Sequence, residues 1–285
     1  MTEPLISVLM TAFNREKYIA MAIESVLAQK FTDFELIIVD DVSQDSTLAI
    51  AKGYQNDPRV RIHANQRNLG DYPNRNRAAG LARGRYLKYL DADDEMYFHC
   101  LDVMAECMKR FPEAALGLES EFEHGWQQPF PFVLSPAEAF REHFLNRGIL
   151  SQGPTSIILP TEVFREFGGF LTERHVGDTD FLLRVAGKRP VVLCGCGLTW
   201  WRQHSEQEFR RGLLRGEVTA RRFQIDSNAL RDGVCPLAPD ERLAALRRVR
   251  RKHWRRIASA LAHGRLNLAL SLSIQARPDR RTVVR

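Results

Sequence analysis

Two kinds of hydrophobic pattern alternate along the first ninety residues. Residues 5–10 (LISVLM) are apolar but for Ser7 and residues 34–39 (FELIIV) but for Glu35, as in strands covered on both faces. Shorter strands are predicted at 60–63 and 86–90. Between the first two, Ile19, Ala22, Ile23, Val26 and Leu27 recur at helical spacing. Ser43 to Thr47 supplies a polar helix start ahead of LAIA, and Arg75 to Ala82 predicts a further helix, broken at Gly84. Strands alternating with helices predict an α/β protein whose sheet is mostly parallel, with helices on both faces. Two buried strands end abruptly in acid, at Asp40-Asp41 and at Asp91-Ala92-Asp93-Asp94. Ligands of open α/β sheets sit beyond the carboxyl ends of the strands, so both clusters are expected at one edge.

After residue 115 the pattern is less regular. Ser135-Pro136 ahead of AEAFREHFL predicts a capped helix. SIIL and PVVLC read as strands, and Thr161 is expected to cap a short helix ended by Gly168-Gly169. Asp178 to Ala186 carries Phe181, Leu182, Val185 and Ala186 on one helical face. From 240 onward Leu243, Leu246, Val249, Trp254, Ile257 and Leu261 form an apolar stripe among many arginines, a basic amphipathic helix. RLNLALSLSI alternates with the period of a strand, but its Ala and Leu are strong helix formers, and helix is the expectation.

Composition narrows the class. At 285 residues, 44% hydrophobic and 27% charged, the chain is an ordinary folded protein with room for a sizeable core. It has no run long enough to span a bilayer and no basic region ahead of its first apolar stretch, so a cytoplasmic location is expected. Five scattered cysteines do not form a zinc pattern; buried reduced thiols are expected, Cys194 and Cys196 among them. The net charge of +6 is uneven: residues 240–285 hold 13 Lys/Arg against three acids, while the first 239 hold 28 against 32. The basic character belongs to the tail, and the acidic main body argues against nucleic acid as a partner.

Asp91-x-Asp93 is the sharpest local feature. Two carboxylates in a turn at a strand end can reach one hard cation, Mn2+ or Mg2+, and through it a diphosphate. The same residues could instead cap the next helix. The wider context favours the cation. The stretch ISVLMTAFNREKYIAMAIESVLAQKFTDFELIIVDDVSQDST resembles the opening of family 2 glycosyltransferases, which have the GT-A fold and invert the anomeric centre. The resemblance continues through NLGDYPNRNRAAGLARGRYLKYLDADD, GGF at 168–170, GDTDFLLR at 177–184 and WWRQH at 200–204, covering roughly residues 5–205.

The resemblance implies a role for each matching position. Thr11 and Phe13 fall where the family grips the nucleotide base, and Asp41, with Asp40 beside it, where a carboxylate meets the base edge. Arg75 falls near the diphosphate. Asp91 and Asp93 match the metal–diphosphate motif, with Asp93 as direct ligand and His204 beside the metal, Arg202 close by. Asp178 matches the general base, with Asp180 as the nearby alternative; without the resemblance Asp178 reads as a helix N-cap. The implied reaction moves a sugar from a nucleotide-sugar donor, a UDP-sugar being favoured, to a glycan or lipid-linked acceptor in surface polysaccharide synthesis. Residues 1–115 would form the donor half, 116–239 the acceptor half, and 240–285 a basic tail suited to the inner face of a membrane or packed on the domain. The chain departs from the family in Val42, Ala78 and Gly177, the last removing one carboxylate from the acceptor side. A sugar-nucleotide nucleotidyltransferase and an inactive sugar-nucleotide-binding homologue are the alternatives. The first fits poorly, because MTAFNRE lacks a glycine-rich triphosphate loop.

Overall fold

The computed structural model describes residues 3–120, 125–172, 176–204 and 217–275. In it the expected alternation forms one eight-stranded sheet flanked by helices. Its first half runs β1 (Ile6–Ala12), α1 (Ile19–Leu27), β2 (Phe34–Asp40), α2 (Thr47–Lys52), β3 (Val60–Ala64), α3 (Asp71–Leu81) and β4 (Tyr86–Tyr89). The strands pair in parallel in the order β3-β2-β1-β4. A short β5 (Glu95–Met96) and α4 (Cys100–Arg110) follow. The sheet then continues through β6 (Leu116–Glu119), β7 (Phe132–Leu134), β8 (Ile157–Pro160) and β9 (Val191–Gly195) in the order β4-β8-β6-β9-β7. Within it β8 and β7 run antiparallel to their neighbours.

Alternating side chains of each strand feed two cores. Leu9, Ile37, Leu87, Tyr89 and Leu159 face Phe164, Phe170 and Phe181, the last in α7 (Gly177–Ala186). Val8, Met10, Leu36 and Ile38 face Ile23 of α1 and Met104 of α4. A fully buried Leu or Ile stabilises by about 1.5–3 kcal/mol, so covering both faces holds these strands in the interior of the sheet.

Ser135 caps α5 (Pro136–Arg141) through a reciprocal bond with Glu138, as expected. Three local expectations are corrected. Helix α3 begins at Asp71, not Arg75, because Gly70 turns the chain at φ 85° and Pro73 is tolerated in the first turn. Thr161 does not cap α6 (Thr161–Glu166); its hydroxyl donates to the Gly84 carbonyl at 2.6 Å, tying α6 to the sheet. Cys194 is buried but Cys196 is exposed, beyond the end of β9.

After the two-residue β10 (Thr199–Trp200), which pairs with β5, come α8 (Glu217–Arg231), α9 (Pro239–Ala262) and α10 (Leu266–Gln275). RLNLALSLSI is helical, and Ala269 and Leu272 of α10 pack with Ala220, Ile257 and Ala260. Tail residues 276–285 lie outside the described residues. Among the described residues no helix is long and apolar enough to cross a membrane.

Candidate active site

Parallel pairing brings the carboxyl ends of β1, β2 and β4 to one edge, where a cleft of about 1700 Å³ opens. Thr11, Phe13, Asp41, Arg75, Asp91 and Asp93 line it from the first half of the chain. Asp178 and Trp201 line it from the second. Asp40 does not: it is buried beneath the turn, where its Oδ2 accepts the Ser43 N–H at 3.0 Å.

Asp41 is also buried, and both its oxygens are engaged. They accept the N–H groups of Leu69 and Gly70 at 2.8 Å each and the Asn65 amide at 2.5 Å. The carboxylate therefore ties the end of β2 to the segment that starts α3. The turn after it places Val42 at φ 65°, in the left-handed region that a β-branched residue rarely enters. The loop after β1 is bound to this turn: Asn14 N–H donates to Ser43 Oγ at 3.0 Å and Arg15 N–H to Thr47 Oγ1 at 2.6 Å. That docking aims Arg15 across the cleft at Asp93.

The acidic turn after β4 carries the strongest electrostatic tension. One carboxylate oxygen each from Asp91, Asp93 and Asp94 lies within 4.8 Å of the others. Burial, with Asp91 and Asp93 adding repulsion, pushes the Asp94 carboxyl up to about 8. Each acid has a cationic or polar brace. Arg75, itself buried, donates to Asp71 and Asp91 at 2.7 Å each. Asp93 Oδ2 lies 2.9 Å from both Arg15 Nε and His204 Nε2. The N–H of Arg202 donates to Asp94 Oδ1 at 3.1 Å, and its Nε to the Asp93 carbonyl at 3.0 Å. Thr155 Oγ1 accepts the Asp91 N–H at 3.1 Å and donates to Asp94 Oδ2 at 2.9 Å. Thr155 is held in turn by Lys88, wholly buried in β4, whose ammonium donates to the Thr155 carbonyl and to no other described residue. Three converging carboxylates with oxygens to spare are a donor set for a hard divalent cation, whose charge would relieve their repulsion. Asp91 and Asp93 fit such an ion. His204 joins the cluster through its contact with Asp93 and packs against Tyr18 with the rings tilted by 37° and their centroids 4.7 Å apart.

Asp178 stands across the cleft in the first turn of α7. The N-cap of that helix is Val176, which makes no side-chain cap bond, so Asp178 is not the cap. Its Oδ1 accepts the Tyr72 hydroxyl at 3.0 Å and the Thr179 N–H at 2.6 Å. Burial raises its carboxyl above the ordinary range, while the Thr179 N–H, the Arg222 charge and the Tyr72 bond pull it back in part. Asp180 is spent differently, accepting Arg184 Nε at 2.6 Å on the flank of the helix and away from the cleft. Sequence reasoning did not find Arg15, Tyr72, Lys88, Thr155 or Arg222. Arg15 alone had a local signal, its place in the loop after β1.

Residues 7–168, more than half of the chain, match the sequence model described as Glycosyl transferase family 2. The chain belongs to this family. Among its curated relatives, an uncharacterized glycosyltransferase of Methanocaldococcus jannaschii is 44% identical over 97 residues, 33% of each chain. The chain thus spans about a third of that relative's length. The fold is that of solved structures with the GT-A architecture. Residues 1–349 of S. aureus TarS, in complex with UDP-GlcNAc, superpose with a TM-score of 0.69 at 19% identity, covering 85% of this chain and 70% of that one. A mannosyltransferase from Pyrobaculum calidifontis, in complex with GDP-Man and Mn2+, gives 0.60 at 17% identity, covering 97% and 80%. Within a family 2 chain the Asp91–Asp93 turn fits the family's acidic motif.

Proposed function

We propose that the chain is an inverting, metal-dependent glycosyltransferase that moves a sugar from a nucleotide-sugar donor, a UDP-sugar being favoured, to a hydroxyl of a glycan or lipid-linked acceptor in surface polysaccharide synthesis. The observation that carries this reading is that Asp178 and the Asp91–Asp93 turn line one cleft from separate elements. Inversion needs that separation, because the acceptor oxygen bonds to the anomeric carbon on the face opposite the departing diphosphate oxygen. The acceptor proton passes to Asp178, a transfer that typically contributes ~10²–10⁴-fold. Tyr72 and the Thr179 N–H aim that carboxylate. Mn2+ or Mg2+, held by Asp91 and Asp93, would offset the negative charge that builds on the leaving diphosphate. Arg75 orients Asp91, while Arg15 and His204 orient Asp93. Thr11 and Phe13 flank the base, with Asp40 and Asp41 shaping the turn beneath it. On this reading residues 1–115 hold the donor, residues 116–239 present the acceptor, and the tail works at the inner face of a membrane. The nucleotide-sugars bound by the two solved structures support the donor class.

A thermal-shift panel of UDP, GDP, dTDP and CMP with and without Mn2+ tests the reading. A ligand at 100 times its Kd adds about 2.7 kcal/mol of stability. A manganese-dependent shift with one nucleotide is expected; no shift with any of them overturns it.

A further inference from the structure

The apolar stripe of α9 belongs to two faces of the helix. Ala245, His253, Ile257 and Ala260 are buried, and Leu246 and Val249 pack partly buried against the main core. Leu243, Trp254 and Leu261 lie on the adjoining face and stay open to solvent, 48%, 64% and 51% exposed. Their spacings of eleven and seven residues bring them within roughly 20° of one direction around the helix. The arginines divide in the same manner. Arg242 donates to the Leu230 carbonyl, Arg248 to the Leu145 carbonyl, and Arg256 to Thr219 Oγ1 at 3.1 Å. Arg247, Arg250 and Arg251 flank the outward seam, are exposed, and make no hydrogen bond or ion pair with any other described residue. No acidic residue stands between Glu241 and Asp279.

We propose that this outward face lies flat on an anionic lipid bilayer, with Trp254 and the two leucines in the interface and Arg247, Arg250 and Arg251 against the headgroups. The proposal deepens the membrane reading of the tail and does not rest on transfer activity. Packing and membrane contact are then two sides of one helix. Apolar residues alone would suit many partners, but an apolar seam rimmed by unpaired arginines matches a surface that is negative outside and apolar beneath. A second copy meeting the same face would set arginine against arginine. Nucleic acid would use the charges but leave the leucines without a partner, and would meet a main body carrying more acids than bases. The face is joined to the catalytic body, since Ala245, Leu246 and Val249 of α9 pack with the main core and Arg141 Nε on α5 bonds Glu241 at 2.6 Å near the start of the helix. Membrane contact would therefore orient the cleft.

Cosedimentation of the full chain with vesicles of phosphatidylcholine, with and without phosphatidylglycerol, tests this. Binding to the anionic vesicles alone is expected. Replacing Arg247, Arg250 and Arg251 with Gln together should weaken it by about 100-fold, at roughly fivefold per charge. Trp254→Ser should weaken it by about tenfold or more. Thermal melts of both variants should stay close to the parent, because the three arginines bond no other described residue and the Trp254 ring, largely exposed, meets His253 edge-on with centroids 6.4 Å apart. Equal binding to both vesicle types, or binding that neither variant weakens, overturns the proposal. So does a dimer that Trp254→Ser dissociates, or DNA binding that replaces lipid binding. None of these readouts involves a nucleotide, so failure here leaves the transfer reading intact, and the reverse.

Discussion

Lys88 should separate two quantities that usually fall together, stability and function. Taking an ammonium out of water costs several kcal/mol, and among the described residues Lys88 donates a hydrogen bond to the Thr155 carbonyl alone. One charge-assisted hydrogen bond contributes about 1.5–3 kcal/mol. In Lys88→Met, a side chain of similar length removes both, and the carbonyl left behind costs about 1–3 kcal/mol. The opposing terms are similar in size, so unfolding stability should stay within about 1–2 kcal/mol of the parent. Cation binding should not be spared. Thr155 connects to both Asp91 and Asp94, and losing an outer support of a metal site typically costs about 10–100-fold in affinity. The assay is urea unfolding alongside a Mn2+ titration followed by calorimetry. A variant destabilised by ~4 kcal/mol, whose folded fraction binds Mn2+ as the parent does, would refute the reasoning and make Lys88 a purely structural residue.

Asp178→Asn should lower kcat by about 10²–10⁴ while the nucleotide-induced thermal shift persists; loss of both would remove Asp178 from the reaction. Burial raises the Asp178 carboxyl, so the base form is gained only as pH climbs past the ordinary carboxylate range, and the acid limb of kcat/KM should lie above it. Tyr72→Phe removes a bond that lowers this carboxyl and should move the limb higher still, which rate measurements against pH would detect. Burial pushes Glu35 up, but bonds from Ser7, Arg83 and Arg61 outweigh it and hold the carboxyl below its ordinary 4.5. Its stabilisation is thus present above that value and lost as pH falls through the lower folded value; Glu35→Gln should flatten this acid dependence in calorimetric melts. Gly84→Ala would set a Cβ 2.5 Å from the Ser7 nitrogen, and should cost about 1–3 kcal/mol by urea midpoint.

Legibility followed the range of the interactions. β1 and β2 could be read directly, because a short, mostly apolar run with β-branched residues, bounded by turn-forming residues, marks a strand buried on both faces. β5 and β10 could not, since two residues carry no period. The start of α3 was hidden by Gly70, Asp71 and Pro73, a turn-like run that the Asp41 carboxylate converts into a helix entry. The acids at the strand ends announced the cleft, but not their braces. Tyr72 is 106 positions from Asp178, and Lys88 is 67 from Thr155, so no local pattern connects them. The two faces of α9 were invisible for another reason: hydrophobicity marks which residues could be buried, and only tertiary packing decides which ones are.

Val42 sits in the turn between Asp40 and Ser43 with a backbone that L-residues adopt at a cost of about 1–2 kcal/mol. Glycine adopts it freely, at the smaller expense of a more flexible unfolded chain. One base change in the codon converts valine to glycine, so relief lies a single mutational step away. A library selected for heat resistance should therefore recover glycine at 42 early, ahead of substitutions that need several changes. If that turn supports the donor as proposed, the same step would loosen it, so a library selected for donor affinity should keep the valine.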